Sequence, residues 1–318
     1  MPISARNTIF VLYNDTSNLP IDGIYFSKRM GRKTGNCKTN SSKLLCTRQN
    51  KRGRFIGKTW NIPIDTALPE RKKAQSVSPL LKVLREQKDG QMKGGIYHRI
   101  QIDFTYNSNH IEGSRLTHDQ TRYIFETNTI GVTDEAINVD DIIETTNHFR
   151  AVDYINQESD CKLTETYIKQ LHLILKSGTS DERKDWFRVG DYKEFPNEVG
   201  GNNTTMPEDI HREMKALLKE YNSKKQPTFE DILDFHQRFE AIHPFQDGNG
   251  RVGRLIMFRE CLRNNYVPFI ITDDLKIFYY NGLRNWPHIK GYLTDTCLTA
   301  QDHFKALLDK FRIKYENN

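Results

Sequence analysis

The chain has 318 residues and a formal net charge of +6, with 36% hydrophobic and 28% charged residues. This composition excludes an intrinsically disordered chain, and no apolar run is long enough for a bilayer-spanning helix. The stretch TIFVLY near the N-terminus is too short for a signal peptide's apolar region, so we expect a cytoplasmic protein that does not bind membranes. The five cysteines are scattered without a CxxC pair, which favours reduced thiols over a zinc site or a disulfide framework.

Residues 1–77 are predicted to form a small basic module that contains β-strands. Positions 1–75 hold fifteen Lys and Arg residues against four Asp and Glu residues, so the rest of the chain has a negative net charge. The runs NTIFVLY and RFIGKTWNIPI have the composition of strands, and Gly, Asn and Ser separate them. The charge indicates a solvated basic face or a nucleic-acid surface, and we favour the first because no nucleic-acid-binding motif accompanies it.

From residue 78 onward the apolar residues recur at helical spacing, which predicts a mainly α-helical protein beyond the basic module. We divide this part into a helical segment, 78–130, and a core with C-terminal helices, 131–318. Within the first segment, THDQTRYIFET opens with a Thr117-x-x-Gln120 capping box, the pattern that starts a helix.

One stretch between the predicted helices has a different texture. Residues 186–205, within the run WFRVGDYKEFPNEVGGNNTTMP, contain Gly200, Gly201 and Asn202 in succession. These residue types tolerate the backbone conformations of tight turns. The stretch is therefore predicted to be a β-hairpin or an ordered loop.

The run HPFQDGNGRVGR, residues 243–254, concentrates glycine and charge between two predicted helices. Gly248, Gly250 and Gly253 fit the G-x-G-x-x-G dinucleotide fingerprint, which requires a strand immediately upstream. Residues 228–242 instead repeat Phe and Ile at helical spacing, and a strand there would bury acidic residues and a histidine in a sheet. We therefore reject a dinucleotide-binding fold.

A glycine loop before a helix can bind an anion. The backbone amides around Gly248 and Gly250 can converge at the N-terminus of a helix that is predicted to begin near Arg251. Arg251 and Arg254 are three residues apart and lie on one side of that helix. Cations at this end oppose the helix dipole, and a bound anion would resolve the conflict.

Two further residues of the motif suggest chemistry. Asp247 is a hard oxygen ligand of the kind that Mg²⁺ prefers beside phosphates. His243 ends the preceding helix and has an ordinary pKa of about 6.5, which suits a general base. Taken singly, Asp247 is explained equally well as a turn-forming residue and His243 as a histidine of the core. Together with the arginines they indicate a base, a metal ligand and a cradle for a triphosphate.

At these residues the chain closely resembles the Fic (filamentation induced by cAMP) family, whose signature is H-P-F-x-[D/E]-G-N-G-R-x-x-R. The resemblance covers roughly residues 95–290. It implies a helical core with a β-hairpin flap, and transfer of AMP from ATP to a hydroxyl side chain of a protein. It further implies that the protein substrate docks by β-augmentation on the flap near 186–205. Self-modification and a homo-oligomer remain open.

The resemblance also implies a role for individual residues. His243 deprotonates the target hydroxyl and Asp247 binds Mg²⁺. The positions that correspond to the ATP phosphate site are Gly248, Asn249, Gly250, Arg251 and, for the γ-phosphate, Arg254. The positions that correspond to the nucleoside pocket are Tyr279, Tyr280 and Asn281, although ordinary helix packing explains each of these three nearly as well.

A second motif precedes the catalytic one. SNHIEG matches the family's inhibitory pattern [S/T]-x-x-x-E-[G/N] with Ser108, Glu112 and Gly113. A surface carboxylate at a helix end is the simpler explanation. The resemblance implies instead that Glu112 pairs with Arg254 and takes the place of the γ-phosphate, which would inhibit the enzyme.

Three functions stay open at this point. The first is a regulated AMP transferase. The second is a family variant that transfers another phosphate-containing group, or that removes AMP from a protein with Glu112 orienting water. The third is a nucleic-acid-binding regulator that acts through the basic N-terminal residues.

Overall fold

The structure is a computed structural model of the chain, and it describes residues 78–131 and 136–315 together with the backbone of four N-terminal strands. By its internal contacts the chain divides into two compact units, residues 1–70 and residues 71–318.

The N-terminal unit contains two antiparallel strand pairs. Its strands are β1 (Thr8–Phe10), β2 (Tyr25–Ser27), β3 (Lys43–Gln49) and β4 (Phe55–Asn61). Strand β1 pairs with β2 and β3 with β4, with Lys43 opposite Asn61. The strands expected in this module are therefore present. The basic side chains and the expected boundary at residue 77 lie outside the described residues.

The second unit is helical. Its helices are α1 (Pro79–Asp89), α2 (Ile96–Ile111), α3 (His118–Thr127), α4 (Val139–Gln157), α5 (Glu165–Lys176), α6 (Pro207–Ser223), α7 (Phe229–Ile242), α8 (Asn249–Arg263), α9 (Lys276–Asn285) and α10 (Gly291–Lys310). Two 3₁₀ turns, Ser180–Arg183 and Asp273–Leu275, lie between helices. A short hairpin of β5 (Glu198–Val199) and β6 (Asn202–Asn203) precedes α6.

The helices begin where local chemistry favours a start. The capping box is confirmed: the Gln120 amide donates to Thr117 Oγ1 at 3.1 Å, and the Thr117 amide donates to Gln120 Oε1 at 2.8 Å. Thr164 and Thr228 each accept a hydrogen bond from a first-turn amide at 3.1 Å. Such caps satisfy amides that have no partner inside the helix.

Helix α8 lies at the centre of the helical unit. Every residue from Asn249 to Leu262 is buried, whereas each of the other described helices has exposed positions between its ends. One hydrophobic core extends from α1 to α10 around it. Because α8 begins directly after the glycine loop, this packing holds the loop on a rigid element.

The cysteines at positions 161, 261 and 297 are buried in the helical unit. Among the described residues, none of the helices combines the length and the apolar character that crossing a bilayer requires.

Candidate active site

The loop between α7 and α8 has a residue in a left-handed conformation at each end. His243 ends α7 with a left-handed conformation, φ +52°, and its amide donates to the Phe239 carbonyl at 2.9 Å. Gly248 precedes α8 with φ +79°, a conformation that favours glycine. Helix α8 therefore starts at Asn249, two residues before the predicted start at Arg251, because the left-handed Gly248 is its N-cap.

Two buried side chains anchor this loop. Phe245 is fully buried. The Asn249 amide group accepts from the Phe245 amide and donates to the Phe245 carbonyl, both at 2.8 Å. Asn249 thus binds the loop backbone with both ends of its side chain, and its contact with phosphate stays a prediction.

His243 has the protonation state of a base. Its Nδ1 lies 3.3 Å from the carbonyl oxygen of Glu240. A carbonyl only accepts, so Nδ1 carries the proton and the Nε2 lone pair is free. Burial lowers the pKa of His243 to about 4, and the imidazole is therefore neutral at physiological pH.

Asp247 lies at the exposed edge of an otherwise largely buried network of charges. The Lys176 ammonium, whose side chain is 2% exposed, lies 2.6 Å from Glu144, 2.6 Å from Asp181 and 2.7 Å from Asp247. Arg251 contacts Glu144 and lies 3.1 Å from Asp247. Burial alone would raise the pKa of Asp247, but the charges of Arg251 and Lys176 outweigh it and hold the pKa well below its usual range.

Asp247 is the member of this network that could hold a metal ion, on its exposed side. Ligand oxygens of Glu144, Asp181 and Asp247 lie within 4.8 Å of one another, but the Lys176 ammonium contacts all three. The Asp247 side chain remains 50% exposed. One exposed carboxylate beside a phosphate site is how proteins commonly hold Mg²⁺, with phosphate oxygens and water completing the octahedron.

Sequence reasoning missed Glu144, Lys176 and Asp181. They come from α4, from the last turn of α5 and from the 3₁₀ turn that follows it. No motif spacing connects them to residues 243–254. Only the packing of α4 and α5 against α8 brings them to Asp247.

Arg254 is bound by the segment predicted to be inhibitory. Its Nη2 lies 2.7 Å from Glu112 Oε1 and 2.8 Å from the Ser108 carbonyl, and its Nε lies 3.1 Å from Ser108 Oγ. Arg254 is 3% exposed. Burial would lower the pKa of its guanidinium, but Glu112 more than compensates and the pKa is raised. The structure thus brings together Ser108, Glu112 and Arg254.

The Glu112 carboxylate also lies against the start of α8. A Cβ on Gly250 would stand 2.2 Å from Glu112 Oε1, so only glycine permits this approach. Gly113 follows with φ +99° and lets the chain turn away after α2. Glu112 therefore places a negative charge at the helix N-terminus that was predicted to bind phosphate.

The three residues that were predicted to form a nucleoside pocket have different environments. Tyr279 is buried, and its hydroxyl lies 2.6 Å from His236 Nε2. The Tyr280 hydroxyl is 3.5 Å from the Ile111 carbonyl. Asn281 is exposed and accepts a hydrogen bond from the Asn285 side chain. Their role in binding a nucleoside stays a prediction.

The hairpin predicted in residues 186–205 is present. Gly200 and Gly201 join its strands with φ values of +56° and +77°. The segment before it is bound to the loop that follows His243, since the Lys193 amide donates to the Pro244 carbonyl at 2.9 Å. Residues 186–205, which contain this hairpin, are called the flap below.

The sequence is similar to that of known proteins around this site. Residues 162–261 match the profile of the Fic/DOC family. Two similar curated proteins are both named protein adenylyltransferase Fic. That of Drosophila melanogaster is 30% identical over 184 residues, and that of Drosophila willistoni is 32% identical over 185. Each alignment covers 56% of this chain but 36% and 35% of the relative, so the chain spans about a third of their length.

Solved structures share the helical fold. A Fic domain containing signaling protein from Bacteroides thetaiotaomicron is similar with a TM-score of 0.59 and 24% identity, covering 75% of this chain and 99% of the other. Fic-1 from C. elegans is similar with a TM-score of 0.55 and 17% identity, covering 73% and 72%. The expectation of a mainly α-helical Fic-type fold is confirmed.

Proposed function

We propose that this chain transfers AMP from ATP to a hydroxyl side chain of a protein. The match of residues 162–261 to the Fic/DOC family and the similarity to proteins named protein adenylyltransferase Fic support this proposal. The observation that carries the proposal is the state of His243. Its Nδ1 donates to a carbonyl and its Nε2 is free, at the start of a loop that leads into the N-terminus of α8. A base and an anion site thus share one rigid loop.

The reaction follows from these positions. His243 Nε2 accepts the proton of the target hydroxyl as its oxygen attacks the α-phosphorus of ATP. A bond forms from that oxygen to phosphorus, the bond to the β-phosphate bridging oxygen breaks, and pyrophosphate leaves. The amides at Gly248 and Gly250 and the guanidinium of Arg251 stabilise the negative charge on the phosphates.

The metal requirement is part of the proposal. Asp247 would hold Mg²⁺ through its exposed side, while Lys176 and Arg251 keep its carboxylate ionised and oriented. When bound, the ion neutralises charge on the phosphates. Arg251, which lies 3.1 Å from Asp247, would hold a phosphate oxygen beside that ion.

We further propose that Glu112 inhibits the transfer. Arg254 is predicted to bind the γ-phosphate, but its Nη2 already donates a hydrogen bond to Glu112 Oε1 at 2.7 Å. ATP that binds beside Glu112 would have its γ-phosphate displaced and its α-phosphorus out of line with the acceptor. Since Ser108 also binds Arg254, departure of Glu112 alone leaves the guanidinium oriented.

The experiment that tests the function uses ATP labelled in two positions. The purified chain and its Glu112→Gly variant are incubated with cell lysate and Mg²⁺, with the label on the α-phosphate or on the γ-phosphate. Protein that retains the α-label and not the γ-label supports AMP transfer. Retention of the γ-label, or of neither, contradicts it. Loss of label from a previously AMP-modified protein would instead support the reverse activity.

The metal ligand gives a separate prediction. Asp247→Ala is expected to lower AMP transfer and to raise the Mg²⁺ concentration for half-maximal rate about tenfold or more, because the carboxylate proposed to hold the metal is then missing. A Mg²⁺ titration of the rate, with binding of Mn²⁺ and a non-hydrolysable ATP analogue measured beside it, checks this. Asp302→Ala, an exposed aspartate on α10, is the control. Unchanged metal dependence would remove Asp247 from the site.

A further inference from the structure

Lys193 is a buried cation, and no carboxylate among the residues that the structure describes contacts its ammonium. It is 3% exposed. Its Nζ donates to Asn197 Oδ1 at 2.5 Å and to Thr204 Oγ1 at 2.6 Å, both neutral acceptors. The Thr204 hydroxyl in turn donates to the Asn197 carbonyl at 2.9 Å. A buried charge with only neutral partners is costly, which points to a function.

The partners of Lys193 lie at the two ends of the hairpin. Asn197 immediately precedes β5 and Thr204 immediately follows β6. Lys193 therefore joins both strands at their base. Strands of two residues are too short to hold their pairing alone, so the hairpin depends on such a link.

The same group of residues is bound to the catalytic loop. The backbone amide of Lys193 donates to the Pro244 carbonyl at 2.9 Å. The Asn197 side chain donates to the Phe245 carbonyl at 3.1 Å. These carbonyls belong to the residues that directly follow His243.

We propose that Lys193 is a positioning residue that fastens the base of the flap to the loop following His243. Where the protein substrate of the proposed function docks on the flap, as expected from the sequence, this link sets the distance between the acceptor hydroxyl and the His243 imidazole. Without this link the flap and His243 would both remain, but their positions relative to each other would no longer be fixed.

The charge of Lys193 adds a second effect. Of the groups that face His243, Lys193 disfavours the imidazolium, whereas Glu112, Asp247 and the Glu240 carbonyl favour it. Burial, which lowers the pKa of Lys193 to about 8, leaves the ammonium mostly charged at pH 7. Burial is the main cause of the lowered pKa of His243, and the charge of Lys193 acts in the same direction.

Hydrogen exchange of the flap amides tests the link without substrate. In Lys193→Met, residues 198–203 are expected to exchange at least tenfold faster, while the amides of α8 keep their rates. The matched control is Lys215→Met, which removes an exposed lysine on α6. Unchanged flap exchange in Lys193→Met would overturn the proposal. Faster exchange throughout α8 would report general destabilisation, and Thr204→Val then decides, since it removes one acceptor and keeps the charge.

Titration of the His243 imidazole by NMR separates charge from linkage. Removing the cation in Lys193→Met should raise the pKa of His243 toward its ordinary value, whereas Thr204→Val should loosen the flap and leave that pKa unchanged. A His243 pKa that is the same in Lys193→Met and the parent would overturn the electrostatic part. Both measurements are independent of AMP transfer, so a failed transfer assay counts against the proposed function and leaves the role of Lys193 to be decided here.

Discussion

The Glu112→Gly variant is expected to transfer AMP well over tenfold faster than the parent, including transfer to itself. The contact that it removes joins Glu112 Oε1 and Arg254 Nη2 at 2.7 Å, with Arg254 buried and Glu112 partly exposed. A tenfold change in rate corresponds to about 1.4 kcal/mol, and a hydrogen bond between charged groups contributes about 1.5–3 kcal/mol. Glycine also opens the space that Glu112 occupies above Gly250.

Two neighbouring substitutions give graded outcomes. Glu112→Gln is expected to activate partly, because it keeps the shape of the side chain and removes its charge. Arg254→Ala should not activate, since it removes the proposed contact with the γ-phosphate together with the one to Glu112. This ranking distinguishes release of an inhibitor from general loosening of the site.

The assay compares these variants at saturating ATP and Mg²⁺. Glu126→Gly is a matched control, because it removes a carboxylate near the end of α3 that faces His98 instead of the site. If Glu112→Gly is no faster than the parent, the inhibitory role of Glu112 fails and the catalytic proposal is unaffected.

Replacement of His243 by alanine is expected to lower AMP transfer by about a thousandfold, within the range usual for a general base, while ATP affinity changes only a few-fold. The imidazole acts on the target hydroxyl, and its Nε2 takes no part in the contacts of Arg251 or Arg254 with their carboxylates. The substitution therefore removes proton transfer and leaves the phosphate site in place.

Transfer and nucleotide binding are measured on the same preparation in the Glu112→Gly background, where activity is highest. His303→Ala, an exposed histidine on α10, is the control. A parallel collapse of ATP affinity would show that His243 binds nucleotide, and retained transfer would show that another group is the base.

Much of the local structure could be predicted from the sequence, because local chemistry determines it. The capping box at Thr117 satisfies first-turn amides with side chains three residues away, so its pattern is visible in the chain. The helical period before His243 correctly excluded a dinucleotide-binding fold. The start of α8 was predicted two residues late, since only the observed conformation of Gly248 identifies it as the N-cap.

The charge environment of the site was decided by the tertiary structure. Glu112 and Arg254 are 142 positions apart, and a short motif could suggest their contact only through resemblance to a family. No pattern in the sequence marked Glu144, Lys176 or Lys193. Lysine and glutamate side chains are usually exposed, and only the packing of the helices shows that Lys176 and Lys193 are buried. The sequence by itself determined which groups the catalytic loop contains, because they are neighbours along the chain. Which charges surround them depends on helix packing, because burial strengthens electrostatic interactions and only the fold determines what is buried.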